Sequence, residues 1–349
     1  MNGSIPSREQ AQALLQRLMG FSKAERVQVN VNSSVTANTR FAANQLSTSG
    51  SVQDTSVAIQ SWFGARHAVT TTNDLSDASL RHAVESSEAL AKLAPEDPED
   101  MPLLGPQTYT PVQAFFDSTT NLSPADRAQA AISALGVTRA SSDLQAAGFI
   151  VTGGSAFALA NSAGLFAYHR TTSANYTLTV RTSDGTGSGW AGADHPDWNQ
   201  LDFKAVSERA IQKARASRNP VAIEPGRYTV ILEPQAVGDL VQLLLFYADA
   251  RSADEGRSPF VKESGGNKIG EKILDQRVSM ISDPQNPQLL SQPFDGQGLP
   301  LNRREWIKDG VLQQLSYSRF WAKKQGKEPT GGPGSVIMPG GPASLDSMI

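Results

Sequence analysis

The spacing of apolar positions changes period several times along this chain of 349 residues. Leu14, Leu15 and Leu18 recur at helical spacing behind Ser7, Gln10 completes an S-x-x-Q capping box, and Gly20 is the predicted stop. Val27, Val29 and Val31 then alternate with polar residues at strand period. A strand pair is predicted over 57–63 and 65–71 with Gly64 near the turn. A helix follows from about Ser76 to Lys92, with Leu80, Val84 and Ala91 on one face. The opening region therefore reads α-β-β-β-α.

Residues 94–111, APEDPEDMPLLGPQTYTP, read as a linker, because prolines block regular structure and the early acids favour solvent. Ser123-Pro124 opens another helix that is expected to end near Gly136. From Leu144 to Ala193 the pattern is a meander of short strands, FIVTGG, AFALANSAG, LFAYHRTT and ANYTLTVRTSDG, each closing on small or turn-forming residues. A helix returns over 202–217, with Val206, Ala210, Ile211 and Ala214 inward. GRYTVILEP, residues 226–234, reads as a buried strand, and 243–256, LLLFYADARSADEG, as a core helix emerging charged. QRVSMISDP precedes a hairpin whose Asp309-Gly310 pair suits a type I′ turn, and 331–344 is a Gly/Pro-rich loop. The predicted class is α+β: an N-terminal α/β region in two parts, 1–105 and 106–222, then a β-rich C-terminal domain, 223–349.

Composition narrows the chemistry. A net charge of −3 gives no footprint for nucleic acid, and no apolar run approaches the roughly 20 residues of a membrane span. The opening residues lack a basic and then apolar leader, so a cytoplasmic protein is expected. Cysteine is absent, which removes disulfides, thiolate ligands and cysteine nucleophiles. The four histidines, His67, His82, His169 and His195, are scattered, none is followed by Glu, and none lies beyond 195. Neither H-E-x-x-H nor H-E-x-x-x-H can be written on this chain.

GSGWAG, residues 187–192, matches G-x-G-x-x-G but sits in the meander and runs into ADHPDW, so it is read as a turn between strands. Asp249, Asp254 and Glu255 form an acid cluster, with Asp283 and Asp295 in later loops. Asp249 and Asp254 are five apart and share a helix face poorly, and Arg251 and Arg257 stand close enough to neutralise them. A solvated helix end is the reading. In 316–327, SYSRFWAKKQGK, Phe320 and Trp321 are expected to pack beside an exposed lysine pair.

Residues 226–241, 257–273 and above all 291–332 resemble the C-terminal domain of the TldD/PmbA family. The carriers are PFD-x-x-G, a hydrophobic-DG-x-L hairpin, a Tyr/Arg segment and a TG-x-x-G-like loop. TRFAANQLSTSG and the helix D-A-S-L-x-x-A-V-x-x-S-x-x-L-A fit its N-terminal domain. That family was named for modulators of DNA gyrase and is associated with peptide proteolysis. In its TldD branch the helix corresponding to 243–256 carries H-E-x-x-x-H, and a later Cys completes a zinc site. Here both are missing, which is similar to the TldE/PmbA branch. The resemblance implies a metal-free, non-catalytic subunit that pairs with a TldD-type zinc peptidase or with itself and helps hold an extended peptide. A self-assembling peptide-binding scaffold and a carboxylate-based hydrolase are the alternatives. No residue is assigned a catalytic, cofactor-binding or metal-ligating role. The resemblance also implies further strands past the point corresponding to Ile349, leaving Leu312–Phe320 as an exposed edge.

Overall fold

The computed structural model describes residues 5–289 and 291–348, with the side chains of 345 and 346 left undescribed. Two compact units emerge: Met1–Glu96 with Gln113–Ile223, and Asp97–Val112 with Glu224–Ile349. The first unit begins with α1 (Arg8–Phe21), β1 (Arg26–Ala42), β2 (Gln45–Phe63), β3 (Arg66–Thr72) and α2 (Asp77–Leu93). The capping box forms as the sequence predicts, Ser7 accepting the Gln10 amide and the Gln10 side chain accepting the Ser7 amide. The helix runs one residue past Gly20. It then continues through α3 (Asp117–Thr120), α4 (Pro124–Arg139), β4 (Leu144–Asn161), β5 (Phe166–Thr182), β6 (Ser188–His195) and α5 (Phe203–Ala216).

The six strands form one antiparallel sheet in the order β3-β2-β1-β4-β5-β6. The sequence division at 105/106 therefore crosses a sheet, since β1 pairs with β4 from Gln28↔Asn161 to Phe41↔Gly148. Two predicted strand breaks also vanish. FIVTGG and AFALAN lie on the single strand β4, and LFAYHRTT and ANYTLTVRT run together as β5. Glycine is required inside β4 by packing: a Cβ at Gly148 would stand 2.2 Å from the Thr177 carbonyl oxygen and 2.9 Å from Phe41 Cζ.

Alternate positions of these long strands face the helices. At one end Val27, Val29, Val31, Ile59 and Ala158 pack with α1 and α2 through Leu15, Leu18, Leu80 and Val84. Toward the other, Phe41, Ile150, Tyr176 and Leu178 pack with Leu135 of α4 and Val206, Ala210 and Ile211 of α5. Period-2 alternation is what lets one strand serve both clusters from the same face.

The second unit contains α6 (Pro234–Phe246), α7 (Ala250–Asp254), the strands β7 (Met280–Ser282), β8 (Arg304–Lys308) and β9 (Val311–Leu312), α8 (Arg319–Gln325) and the short α9 (Leu345–Met348). Asp309 and Gly310 both adopt positive φ, 49° and 78°, in the predicted hairpin turn. Most of 94–111, read as linker, belongs to this unit, which takes in Asp97–Val112: the Tyr109 hydroxyl donates to the Gly298 carbonyl at 2.7 Å and its ring lies 4.8 Å from Phe294. Proline content marked irregular backbone there, but carried no information on what it packs against.

Two expectations for this unit are overturned. Residues 226–233 form no strand, and Tyr228, Val230, Ile231 and Leu232 are exposed. Apolar residues at successive positions predict a strand covered on both faces, and that cover is absent among the described residues. Leu312–Phe320 is instead well covered. Leu315 is fully buried, the Ser316 amide donates to Ala248, and the Tyr317 amide donates to Thr330 Oγ1.

Candidate functional site

The stretch 243–256 is where the resemblance places a metal in other members, and it does not form one helix. It is no buried core helix either, because α6 buries no residue and Leu243 and Phe246 are 60% and 78% exposed. The chain leaves helical geometry at Tyr247–Asp249, where Ala248 and Ala250 make a backbone ladder with Ser316, and re-enters it in α7. Asp249 caps α7, its carboxylate accepting the Ser252 amide at 2.7 Å. Charge and an unpaired amide at a helix start explain that choice of residue.

The remaining acids are likewise committed. Asp254 accepts from Trp321 Nε1 and from Asn267 Nδ2, both at 2.7 Å. Arg251 grips Glu99 through both terminal nitrogens, at 2.8 and 2.7 Å, while its Nε donates to Glu255 at 2.9 Å. Its guanidinium also lies 5.4 Å from the Trp321 ring centre. Arg257 and then Arg251 hold the Glu255 carboxyl below the usual carboxylate range. The arginines thus neutralise Glu255 and Glu99, rather than the Asp249 and Asp254 that the sequence paired them with.

This donor set does not fit zinc. The second unit holds neither histidine nor cysteine, and its clustered carboxylates are occupied by a helix cap, an indole, an amide and two guanidiniums. Among the described residues, no group of three His, Cys, Asp or Glu could hold a metal ion.

The other sequence candidates resolve individually. GSGWAG spans the entry to β6 and the strand itself, rather than a turn alone. Added Cβ atoms at Gly187 and Gly189 would stand 2.1 and 2.2 Å from the Ala214 and Ala210 carbonyls, so these glycines let α5 approach the sheet. His67 pairs with Gln60 at 3.2 Å, His82 is exposed on α2, and His169 is buried on β5. His195 Nδ1 accepts the Asp197 amide at 2.9 Å.

Ser118 donates to Asp197 at 2.5 Å, a proximity that spacing did not reveal. The order is wrong for a nucleophile, since the serine meets the carboxylate directly and the imidazole meets backbone. That serine holds the Asp197 carboxyl below its ordinary value. In α8, Trp321 is buried as expected, with Lys324 Nζ 4.9 Å from its ring centre, and Lys327 donates to the Tyr317 hydroxyl.

The motifs that carry the resemblance serve the fold. Phe294 of PFDGQG is fully buried, and Asp295 Oδ1 accepts the amides of Gln297 and Leu299, each at 2.9 Å. Thr330 and Gly331 of the TGG loop accept from the Tyr317 amide and the Ser316 hydroxyl. Among the described residues no helix is long and apolar enough to cross a membrane.

Comparison with known proteins agrees with this architecture. Residues 27–91, 117–218 and 225–348 match the family models of PmbA/TldA metallopeptidase domain 1, central domain and C-terminal domain. A protein named metalloprotease from Methanothermobacter thermautotrophicus is 30% identical over 158 residues, 45% of this chain and 32% of that one. The matched stretch spans about a third of the first curated relatives it resembles. A solved structure described as a modulator of a DNA gyrase, from Thermotoga maritima, superposes with a TM-score of 0.86 at 19% identity, covering 97% of this chain and 79% of that one. TldE from Thermococcus kodakarensis gives 0.82 at 19% identity, covering 98% and 80%. At such identity these two likenesses speak for the fold. With three consecutive family domains matched in order, the chain belongs to the TldD/PmbA family.

Proposed function

We propose that this chain is the metal-free, non-catalytic subunit of a heterodimeric TldD/TldE-type metallopeptidase acting on unfolded or extended peptides in the cytoplasm. The observation that carries the reading is the donor chemistry of 243–256. The segment offers no imidazole or thiol, and each of its acids already has a structural partner. A TldD-type partner then supplies the zinc that polarises the scissile carbonyl and activates water. This chain's part is to shape the chamber and hold the peptide.

The many exposed apolar residues of 228–247 support an assembly role, since exposed apolar surface concentrated in one segment suits an interaction site. Capture of the tagged full chain from native cells, with metal analysis of the complex and of the isolated chain, tests the reading. Recovery of a TldD-type chain carrying all the zinc is expected. Recovery of the chain alone, as a peptide-binding homo-oligomer, would replace it with the scaffold reading.

A further inference from the structure

We infer that Arg304 and Ser282 form a carboxylate-binding subsite, which takes an acidic side chain or the C-terminal carboxylate of an extended peptide. This subsite belongs to the peptide-holding role proposed above and stands on that reading. Arg304 opens β8 and lies directly opposite Ser282 of β7 in an antiparallel pair. Directly opposed residues share a face, with Cβ atoms about 4.5–5.5 Å apart. Trp306, two positions along β8, shares that face and is buried, and its Nε1 donates to Ser282 Oγ at 2.8 Å.

The guanidinium has no counter-charge. Among the described residues the half-buried Arg304 makes no hydrogen bond and no ion pair. Its Nε is shut away from water without a partner, whereas the two terminal nitrogens still reach solvent. Burial lowers its pKa from the ordinary arginine value, and no described acid offsets that. The other arginines with an unpartnered Nε are anchored elsewhere. Arg127 donates to the Leu122 carbonyl, and Arg218 pairs with Asp143. Withdrawing a cation from water without a partner is costly, so a fork left in this state is set to receive an anion from outside.

The donor chemistry fixes the class of that anion. Ser282 Oγ accepts the indole N–H, so its own proton is left to donate, and among the described residues it has no acceptor. A planar fork beside a hydroxyl offers donors alone, matched to the two oxygens of a carboxylate. The neighbouring cations Arg303 and Lys308 are both drawn to Glu305, at 3.3 and 3.4 Å. That leaves the subsite the charge of Arg304, which suits a monoanion rather than a phosphate dianion.

Melting of the full chain separates this subsite from a structural role. In chloride, Arg304→Met removes an uncompensated charge and is expected to melt at or above the wild type. Acetate replacing chloride at equal ionic strength should raise the wild-type melting temperature. Arg304→Lys, which keeps the charge without the fork, should respond less, and Arg304→Met not at all. Fluorescence anisotropy then compares short labelled unstructured peptides: one with an internal Glu and an amidated end, one with Gln there and a free C-terminal carboxylate, and one with Gln and an amidated end. Arg304→Met should weaken a carboxylate peptide by about ten- to a hundred-fold and leave the neutral one unchanged, and the peptide that responds identifies the source. A methionine variant that melts below the wild type, or acetate stabilisation that survives in it, overturns the subsite. Peptides bound with no dependence on Arg304 overturn the subsite and leave the peptide-holding role standing. An acetate response with no peptide bound overturns the peptide-holding role and the ligand named here.

Discussion

The indole Nε1 of Trp321 donates to Asp254 Oδ2 at 2.7 Å, tying an acid of the charged cluster to the buried ring that anchors α8. The carboxylate is thereby a structural acceptor. Asp254→Ala strands a buried N–H and the Asn267 amide, and should destabilise the second unit by about 1–3 kcal/mol. Asp254→Asn keeps an acceptor and should lose less. Denaturant midpoints at constant slope read both. Equal stability in the alanine variant would contradict the assignment.

The glycines of the G-x-G-x-x-G match make a second case. Gly189→Ala sets a methyl 2.2 Å from the Ala210 carbonyl and 2.4 Å from the Ala214 nitrogen, both backbone atoms that cannot swing aside. A loss of about 1–3 kcal/mol is expected, with no dinucleotide binding to lose. Gly20 has no neighbour within 4 Å of the added atom, so Gly20→Ala should stabilise α1 by about 0.5–1 kcal/mol. Thermal melts of the two variants should shift in opposite directions.

The two ends of the pH scale report on different units. Burial, and then the Asp295 charge, push the Tyr109 hydroxyl up to about 12. A raised value favours the neutral phenol in the fold. Its contribution is complete below the ordinary 10 and disappears as pH rises toward 12. Tyr109→Phe should flatten that alkaline limb, although it also loses the bond to Gly298. In the first unit the Thr182 hydroxyl, then the Thr186 amide, hold Asp184 down at about 2. A lowered value stabilises above 3.8, and that stability goes as pH falls toward 2. Asp184→Asn should blunt the acid limb, as read from melts across pH.

Exposed apolar residues separate assembly from folding. Leu243→Ser with Phe246→Ser removes mostly exposed apolar surface, Phe246 touching only the Tyr247 ring edge-on among the aromatic contacts of the described residues, so stability should change by no more than about 0.5–1 kcal/mol. Capture of a TldD-type chain from native cells should fall. Undiminished capture would place the partner surface elsewhere.

What was legible in the sequence was local. Ser7 with Gln10, Ser123 with Pro124 and Asp309 with Gly310 announce their geometry because caps and turns are satisfied within a few residues. The segment Gln45–Ser56 gave no strand signal, since neither of its faces is buried and its apolar residues do not alternate. Gly153 and Gly154 suggested a break, yet Gly153 lies close against the Val35 carbonyl inside a continuous strand, an approach that depends on residues more than a hundred positions away. The absence of histidine and cysteine from 243–256 was legible from residue identity alone. The commitment of Asp254 to Trp321 and the grip of Arg251 on Glu99 were not, because those partners are distant in sequence.

Zinc content and peptide hydrolysis, measured on the purified chain alone and after mixing with a TldD-type subunit, decide whether this chain is the metal-free subunit. No stoichiometric zinc and no cleavage are expected for the chain alone, and zinc-dependent cleavage of an unfolded peptide is expected in the mixture. Stoichiometric zinc with peptide cleavage by the isolated chain would contradict that role.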